Sequence, residues 1–174
     1  ESGLDYYYQN SSREAQERSF QAHIEAARES GLPLIVHTRD ADRDTITLLE
    51  ESLRAGPFTG VIHCYSSTPE LGHAAVEMGF YLGLGGILTF KRSDELRATV
   101  EALPLERLIL ETDAPYLAPQ PVRGKPNEPA YVAHVAATLA EVKSISSAEV
   151  ARVTTDNFFR LFAKAAPAKA AACA

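Results

Sequence analysis

A chain of 174 residues, 45% hydrophobic and 23% charged, has the length and balance of one soluble globular domain with a sizeable core. Its net charge of −6 argues against broad, charge-driven binding to duplex nucleic acid, which wants a basic face. It leaves open a polyanionic substrate held through bound cations, because those cations are not in the count. No apolar run approaches the ~20 residues of a membrane span, and the polar, tyrosine-rich start from Glu1 to Asn10 is unlike a secretory leader. Two widely separated cysteines, Cys64 and Cys173, do not make a disulfide framework, so a cytoplasmic setting is expected.

Helix-period stretches alternate with short β-branched runs. Ser11-Ser-Arg-Glu14 has capping-box spacing and opens a helix that Gly31 closes. Leu34–His37 reads as a buried strand, Asp40–Arg54 as a helix ended by Gly56-Pro57, and Gly60–Cys64 as the next strand. Ser67-Thr-Pro-Glu70 caps a helix that stops at Gly79, Phe80–Leu84 is a third strand, and Ser93–Leu103 is helical. Arg107–Thr112 is a fourth strand, a proline-rich loop runs from Ala114 to Pro129, and helices follow over about 129–142 and 147–163. Residues 164–174, rich in alanine, are expected to be a flexible tail beyond a single domain at 1–163. Near-continuous apolar strands alternating with helices predict a parallel sheet covered by helices, in either a doubly wound fold or a (β/α)8 barrel.

Polar residues at the strand ends choose between these. His37, His63 and Asp113 each follow an apolar run, and parallel strands aim their C-terminal ends at one face, in a barrel at one axis. His63 follows His37 by 26 residues and Asp113 follows His63 by 50, nearly two such units, with the strand at 80–84 filling the skipped one. Glu1 falls one longer unit before His37. Two imidazoles and two carboxylates on one face suit a borderline or hard divalent cation such as Zn, Mn or Mg. Each residue alone is better read as a hydrogen-bonded core histidine or a helix cap; their shared register favours a metal site.

The residues also carry a resemblance. Glu1-Ser-Gly-Leu-Asp5-Tyr6, Ile35-Val-His37-Thr-Arg39-Asp40-Ala41, Ile62-His63-Cys64-Tyr65, Gly86-Ile-Leu-Thr-Phe90-Lys91, Glu111-Thr-Asp113-Ala-Pro-Tyr-Leu-Ala-Pro119, Arg123-Gly-Lys-Pro-Asn127-Glu128-Pro129 and Asn157-Phe158 closely resemble, in order, the signatures of TatD-family hydrolases. The resemblance runs from residue 1 to about 162. It implies a (β/α)8 barrel and metal-assisted phosphodiester hydrolysis, with DNA, or RNA, trimmed from a 3′ end. It makes Glu1 the carboxylate that bridges two metals, His37 and His63 the histidine ligands of the second metal, and Asp113 the aspartate that binds metal and handles the proton of the attacking water. Glu1 and Asp113 are thus the expected catalytic pair.

One block of the family pattern, a His-x-His-x-Asp on the first strand, has no counterpart here, and His23, His73 and His134 lie in or near predicted helices where a surface role is favoured. The sequence is therefore expected to be an incomplete barrel, roughly strands 4–8 with their helices, holding at most one of the family's two divalent ions. No stable protein partner is expected unless one supplies the first strands. An ester or amide hydrolase, such as a D-aminoacyl-tRNA deacylase, and a non-catalytic fragment are the competing readings. Arg39 and Lys91 are candidates for phosphate contact, with structural pairing equally open. Tyr65 is a candidate to stack a terminal base, with a packed loop tyrosine the safer reading, and Tyr6 to Tyr8 could do the same, although three consecutive tyrosines cannot all face one way. Arg123, with Asn127 and Glu128, is expected to pair with Glu111 and fix the last loop, DNA contact being the second role. Asp5 is a candidate to orient a neighbouring ligand, and Cys64 a small buried residue rather than a nucleophile.

Overall fold

The computed structural model describes residues 1–8 and 10–165; the expected tail from residue 166 onward, with Cys173, lies outside the described residues. Five parallel strands make one sheet in the order β1-β2-β3-β4-β5: β1 Ser2–Asp5, β2 Leu34–Arg39, β3 Gly60–Ile62, β4 Tyr81–Leu84 and β5 Leu108–Leu110. Six helices follow them along the chain: α1 Arg13–Ser30, α2 Asp42–Ala55, α3 Pro69–Glu77, α4 Asp94–Ala102, α5 Val132–Lys143 and α6 Ser147–Leu161. Every strand pairs with its successor in sequence. A doubly wound sheet reverses its strand order at a switch point; this one does not, and all six helices send side chains into the main core on one face.

Local chemistry sets the helix ends. Ser12 caps α1, its hydroxyl accepting from Ala15 N–H, and Gly31 closes the helix with a left-handed φ of 64°. The cap is thus the second serine of the expected pair. Thr68 caps α3 with a proline in the first turn, and Ser146 caps α6. The helix expected from Asp40 begins at Asp42, because Asp40 takes a φ of 53° and cannot join it. The first strand starts at Ser2, just after Glu1, and runs to Asp5, because β2 extends to Arg39 and supplies pairing partners that far.

Side chains alternate across the strands. Leu4, Val36, Ile62, Leu82, Leu84 and Leu108 face the helices and form the main core with Phe20, Ile24, Leu49, Leu71, Val100 and Leu139. On the opposite face Val61, Tyr81 and Ile109 pack with Leu161 and Phe162 at the end of α6. One step further along the same strands, that second face carries His37, His63 and Glu111. The polar residues therefore form a layer above an apolar floor, all on the face turned away from the helix layer.

Candidate metal centre

Backbone pairing continues beyond the strands and fixes the polar layer. His63 N–H donates to Val36 O at 2.8 Å, Glu111 N–H to Leu84 O at 3.0 Å, and Tyr6 N–H to Arg39 O at 2.9 Å. Three of the turns that follow the strands place a non-glycine residue at positive φ: Asp40 after β2, Cys64 after β3 and Asp113 after β5. That backbone is sparsely populated and tends to persist where surroundings over-determine it, often at functional sites. The layer opens into a cavity of about 560 Å³ lined by Glu1, His37, Arg39, His63, Asp113 and Tyr116 among others. Another cavity, of about 590 Å³ between β5, α5 and α6, has no ionisable lining residue, so the chemistry belongs to the first.

His63 is the hub. Its Nδ1 lies 2.9 Å from Glu111 Oε2, and its Nε2 lies 3.4 Å from both Glu1 Oε2 and Asp113 Oδ1. The hydrogen bond to Glu111 raises its pKa to about 9, aided by the nearby charges of Glu111, Glu1 and Asp113 and opposed by burial. Glu111 is itself held by Cys64 N–H at 2.6 Å and lies against Gly83, where an added Cβ would come within 2.5 Å of Glu111 Oε2. The bare glycine is what leaves room for the carboxylate.

His37 joins from β2. Its Nδ1 is 3.9 Å from Glu1 Oε1 and its Nε2 is 3.2 Å from Asp5 Oδ2. Asp5 also accepts the N–H groups of Tyr7 and Tyr8, while Gln16 of α1 bonds the backbone of Asp5 through both its donor and its acceptor. Against burial, which opposes the charge, these bonds hold the Asp5 carboxyl below its usual range. The sequence-based expectation that Asp5 orients a neighbour has this geometry.

Glu1, His37, His63 and Asp113 thus line one cavity. Among the described residues, no three His, Cys, Asp or Glu side chains form a ready-closed metal shell. The 3.4 Å gaps about His63 are nevertheless close to the separation of two ligands that share a cation at about 2.1 Å. Two imidazoles with two carboxylates are the donor types a borderline or hard divalent ion takes, so the residues fit such an ion by chemistry and by the spacing at His63.

The remaining candidates separate. Arg39 lines the cavity. Lys91 is exposed and is not among its lining residues, and Arg123 instead lies over the Phe90 ring at 3.7 Å. Tyr65 is the packed loop tyrosine of the safer reading and not a stacking platform: it is 2% exposed and its hydroxyl donates inward to Thr68 O at 2.8 Å, leaving no open face for a base. Arg123, Asn127 and Glu128 do not hold Glu111, which is taken by His63 and Cys64. Asn127 alone fixes the loop, donating to Thr112 O and Tyr116 O at 2.7 Å on either side of Asp113. Burial, with the nearby carboxylates, pushes the Cys64 thiol up to about 12, which removes it as a nucleophile. His23 is exposed and bonded to Ser19 O within its own helix, and His73 is exposed on α3. Glu111 was the miss; its signal is its position two residues before Asp113, in phase with Ile109 on the inward face of β5.

Comparison with known proteins follows this geometry. The family model for TatD related DNase matches residues 1–163. The Escherichia coli K12 protein named uncharacterized metal-dependent hydrolase YcfH is 46% identical over 162 residues, covering 93% of this chain and 61% of that protein. A protein of Escherichia fergusonii named 3′-5′ ssDNA/RNA exonuclease TatD is 40% identical over 167 residues, covering 93% of this chain and 64% of its own length. Among solved structures, YJJV, a TatD homolog from Escherichia coli K12, superposes with a TM-score of 0.84 at 30% identity, covering 92% of this chain and 61% of that one. The chain therefore spans about three fifths of the length of the relatives it matches.

Proposed function

Because the chain belongs to the TatD-related DNase family, whose relatives include proteins named metal-dependent hydrolases, we propose that it cleaves nucleic-acid phosphodiester bonds, working from the 3′ ends of DNA or RNA strands. The observation that carries this reading is the His63 ring, held on one nitrogen by Glu111 and turned with the other toward Glu1 and Asp113. We propose further that the five sequentially ordered strands are an arc of a (β/α)8 barrel, with the cavity at the strands' C-terminal ends where barrel enzymes work.

In this reading Glu1, His37, His63 and Asp113 would hold a divalent cation: Mg, Mn or Zn. When bound, such an ion sets positive charge against the phosphate oxygens and makes the attacking water more acidic. The protein's own groups do the rest. Asp113 accepts the proton of that water, Glu1 shares the ion and orients the water, and Arg39 at the cavity wall pairs with a phosphate oxygen. Glu111 and Asp5 keep the two imidazoles turned the required way.

Calorimetric titration with Mn²⁺ and a 3′-labelled single-stranded oligonucleotide assay test this on the full-length protein. Metal-dependent shortening of the strand, lost in Asp113→Asn while folding persists, is the expected result. Undiminished cleavage by Asp113→Asn would overturn the assignment.

A further inference from the structure

Two exposed tyrosines lie against Arg39 of the cavity wall, and the four-donor arrangement makes no use of them. Tyr6 turns inward, its hydroxyl donating to Asp44 at 2.8 Å, whereas Tyr7 and Tyr8 are 57% and 59% exposed. Their rings stand edge to face, with centroids 4.9 Å apart. Single exposed aromatics are ordinary and assign nothing. This pair, however, is held in place without burial. Both backbone N–H groups donate to Asp5 Oδ1, at 3.0 and 2.9 Å. The Arg39 guanidinium lies over both rings, 4.1 and 4.8 Å from their centroids, and donates to the Tyr8 hydroxyl at 3.4 Å.

The same two residues tie the pair to the cavity. Asp5 uses its other oxygen on His37, and Arg39 is part of the cavity wall. A preorganised cluster of aromatic rings and one guanidinium beside a phosphate-directed cavity has a specific chemical use. Unpaired bases stack on aromatic and guanidinium planes, with little dependence on sequence, because every base has a π-face. A base inside a duplex has no free face to offer.

We propose that Tyr7, Tyr8 and Arg39 form a stacking subsite for a nucleobase of a single-stranded nucleic acid whose backbone enters the adjoining cavity. This rests on reading that cavity as a phosphodiesterase site. The subsite makes the protein select unpaired strands, DNA or RNA alike, since its contacts are to bases rather than to the sugar. Fixing the tyrosines in advance lowers the entropy lost when a base arrives.

The test compares two single strands of about ten nucleotides with hydrolysis-resistant phosphorothioate linkages, one carrying bases and one abasic. Their affinities are read by fluorescence anisotropy in Mg²⁺ for the wild type, Tyr7→Ala/Tyr8→Ala and Tyr7→Phe/Tyr8→Phe. Wild type is expected to prefer the base-bearing strand by roughly tenfold or more. The alanine pair should lose that preference and the phenylalanine pair should keep it. A wild type that binds both strands equally overturns the subsite without any variant, and so does an alanine pair with the full preference. Metal-dependent hydrolysis of bis(p-nitrophenyl) phosphate by the wild type, a substrate with no base, reports on the cavity alone. Its absence would overturn the phosphodiesterase reading and the subsite with it; its presence alongside equal strand binding would sink only the subsite.

Discussion

Three of the four candidate ligands are positioned by a neighbouring side chain outside the proposed cation set. Glu111 gives His63 a fixed ring orientation, Asp5 does so for His37, and Asn127 bridges the loop on both sides of Asp113. Such supporting partners of ligating residues are commonly worth 10- to 100-fold in metal affinity. Glu111→Gln keeps the shape of the side chain but loses its charge, and its amide can place a donor where His63 needs an acceptor. We expect Mn²⁺ affinity to fall by at least about tenfold, with the thermal midpoint little changed. Calorimetric titration checks it, and an unaltered affinity would show that Glu111 is only a packing residue. Tyr6 gives a separate expectation away from the cavity. Burial, with the hydrogen bond to Asp44, raises its pKa to about 12 from an ordinary 10. The folded state therefore holds this proton more tightly than the unfolded one, and stability present below pH 10 drains away as pH rises towards 12. Tyr6→Phe should flatten that loss, as measured by denaturant midpoints across pH 9 to 12.

At the scale of elements, two glycines in equivalent inward positions make opposite predictions. A Cβ at Gly83 meets the far end of the Glu111 side chain, which can swing aside. Gly83→Ala should therefore fold normally and yet behave as Glu111→Gln does in metal titration. A Cβ at Gly3 would come within 1.8 Å of His37 O, in the backbone of the paired strand. Neither strand can yield without breaking the β1–β2 ladder, so Gly3→Ala should cost at least about 1–3 kcal/mol, seen as a lowered Tm. Equal stability losses in both variants would refute the distinction. Elements of this kind were largely legible in the sequence. Apolar runs located β2 to β5, and serine and threonine caps with closing glycines bounded α1 and α3, because these signals act over a few residues. That Glu1, His37, His63 and Asp113 would meet at one cavity was legible too, through their shared place near strand ends. What stayed hidden was long-range: Glu111 meets His63 across the sheet from β5 to β3, and Arg123 finds Phe90 rather than Glu111. Sequence spacing carries no information on which of several neighbouring partners a side chain chooses.

Over the whole molecule, the candidate ligands come from separated parts of one sheet: Glu1 before β1, His37 within β2, His63 after β3 and Asp113 beyond β5. Each of those strands is anchored to its neighbours by backbone pairing, but across the cavity the carboxylates and imidazoles are held by side-chain contacts of 2.9 to 3.9 Å. A cation shared by these four would therefore cross-link the sheet from β1 to β5 in the folded state and find no such set in the unfolded chain. Binding confined to the folded state stabilises it in proportion to the logarithm of ligand excess, about 2.7 kcal/mol at a concentration a hundredfold above Kd. For a chain of this length that corresponds to a rise of roughly 5–10 °C in Tm. We expect this rise with Mn²⁺, its reversal by EDTA, and its disappearance in His63→Ala/Asp113→Asn, all followed by thermal melts. A rise of the same size in the double variant would mean that the ion binds elsewhere. No rise at saturating Mn²⁺ would mean that the four residues are an ion-paired cluster holding the sheet together on their own.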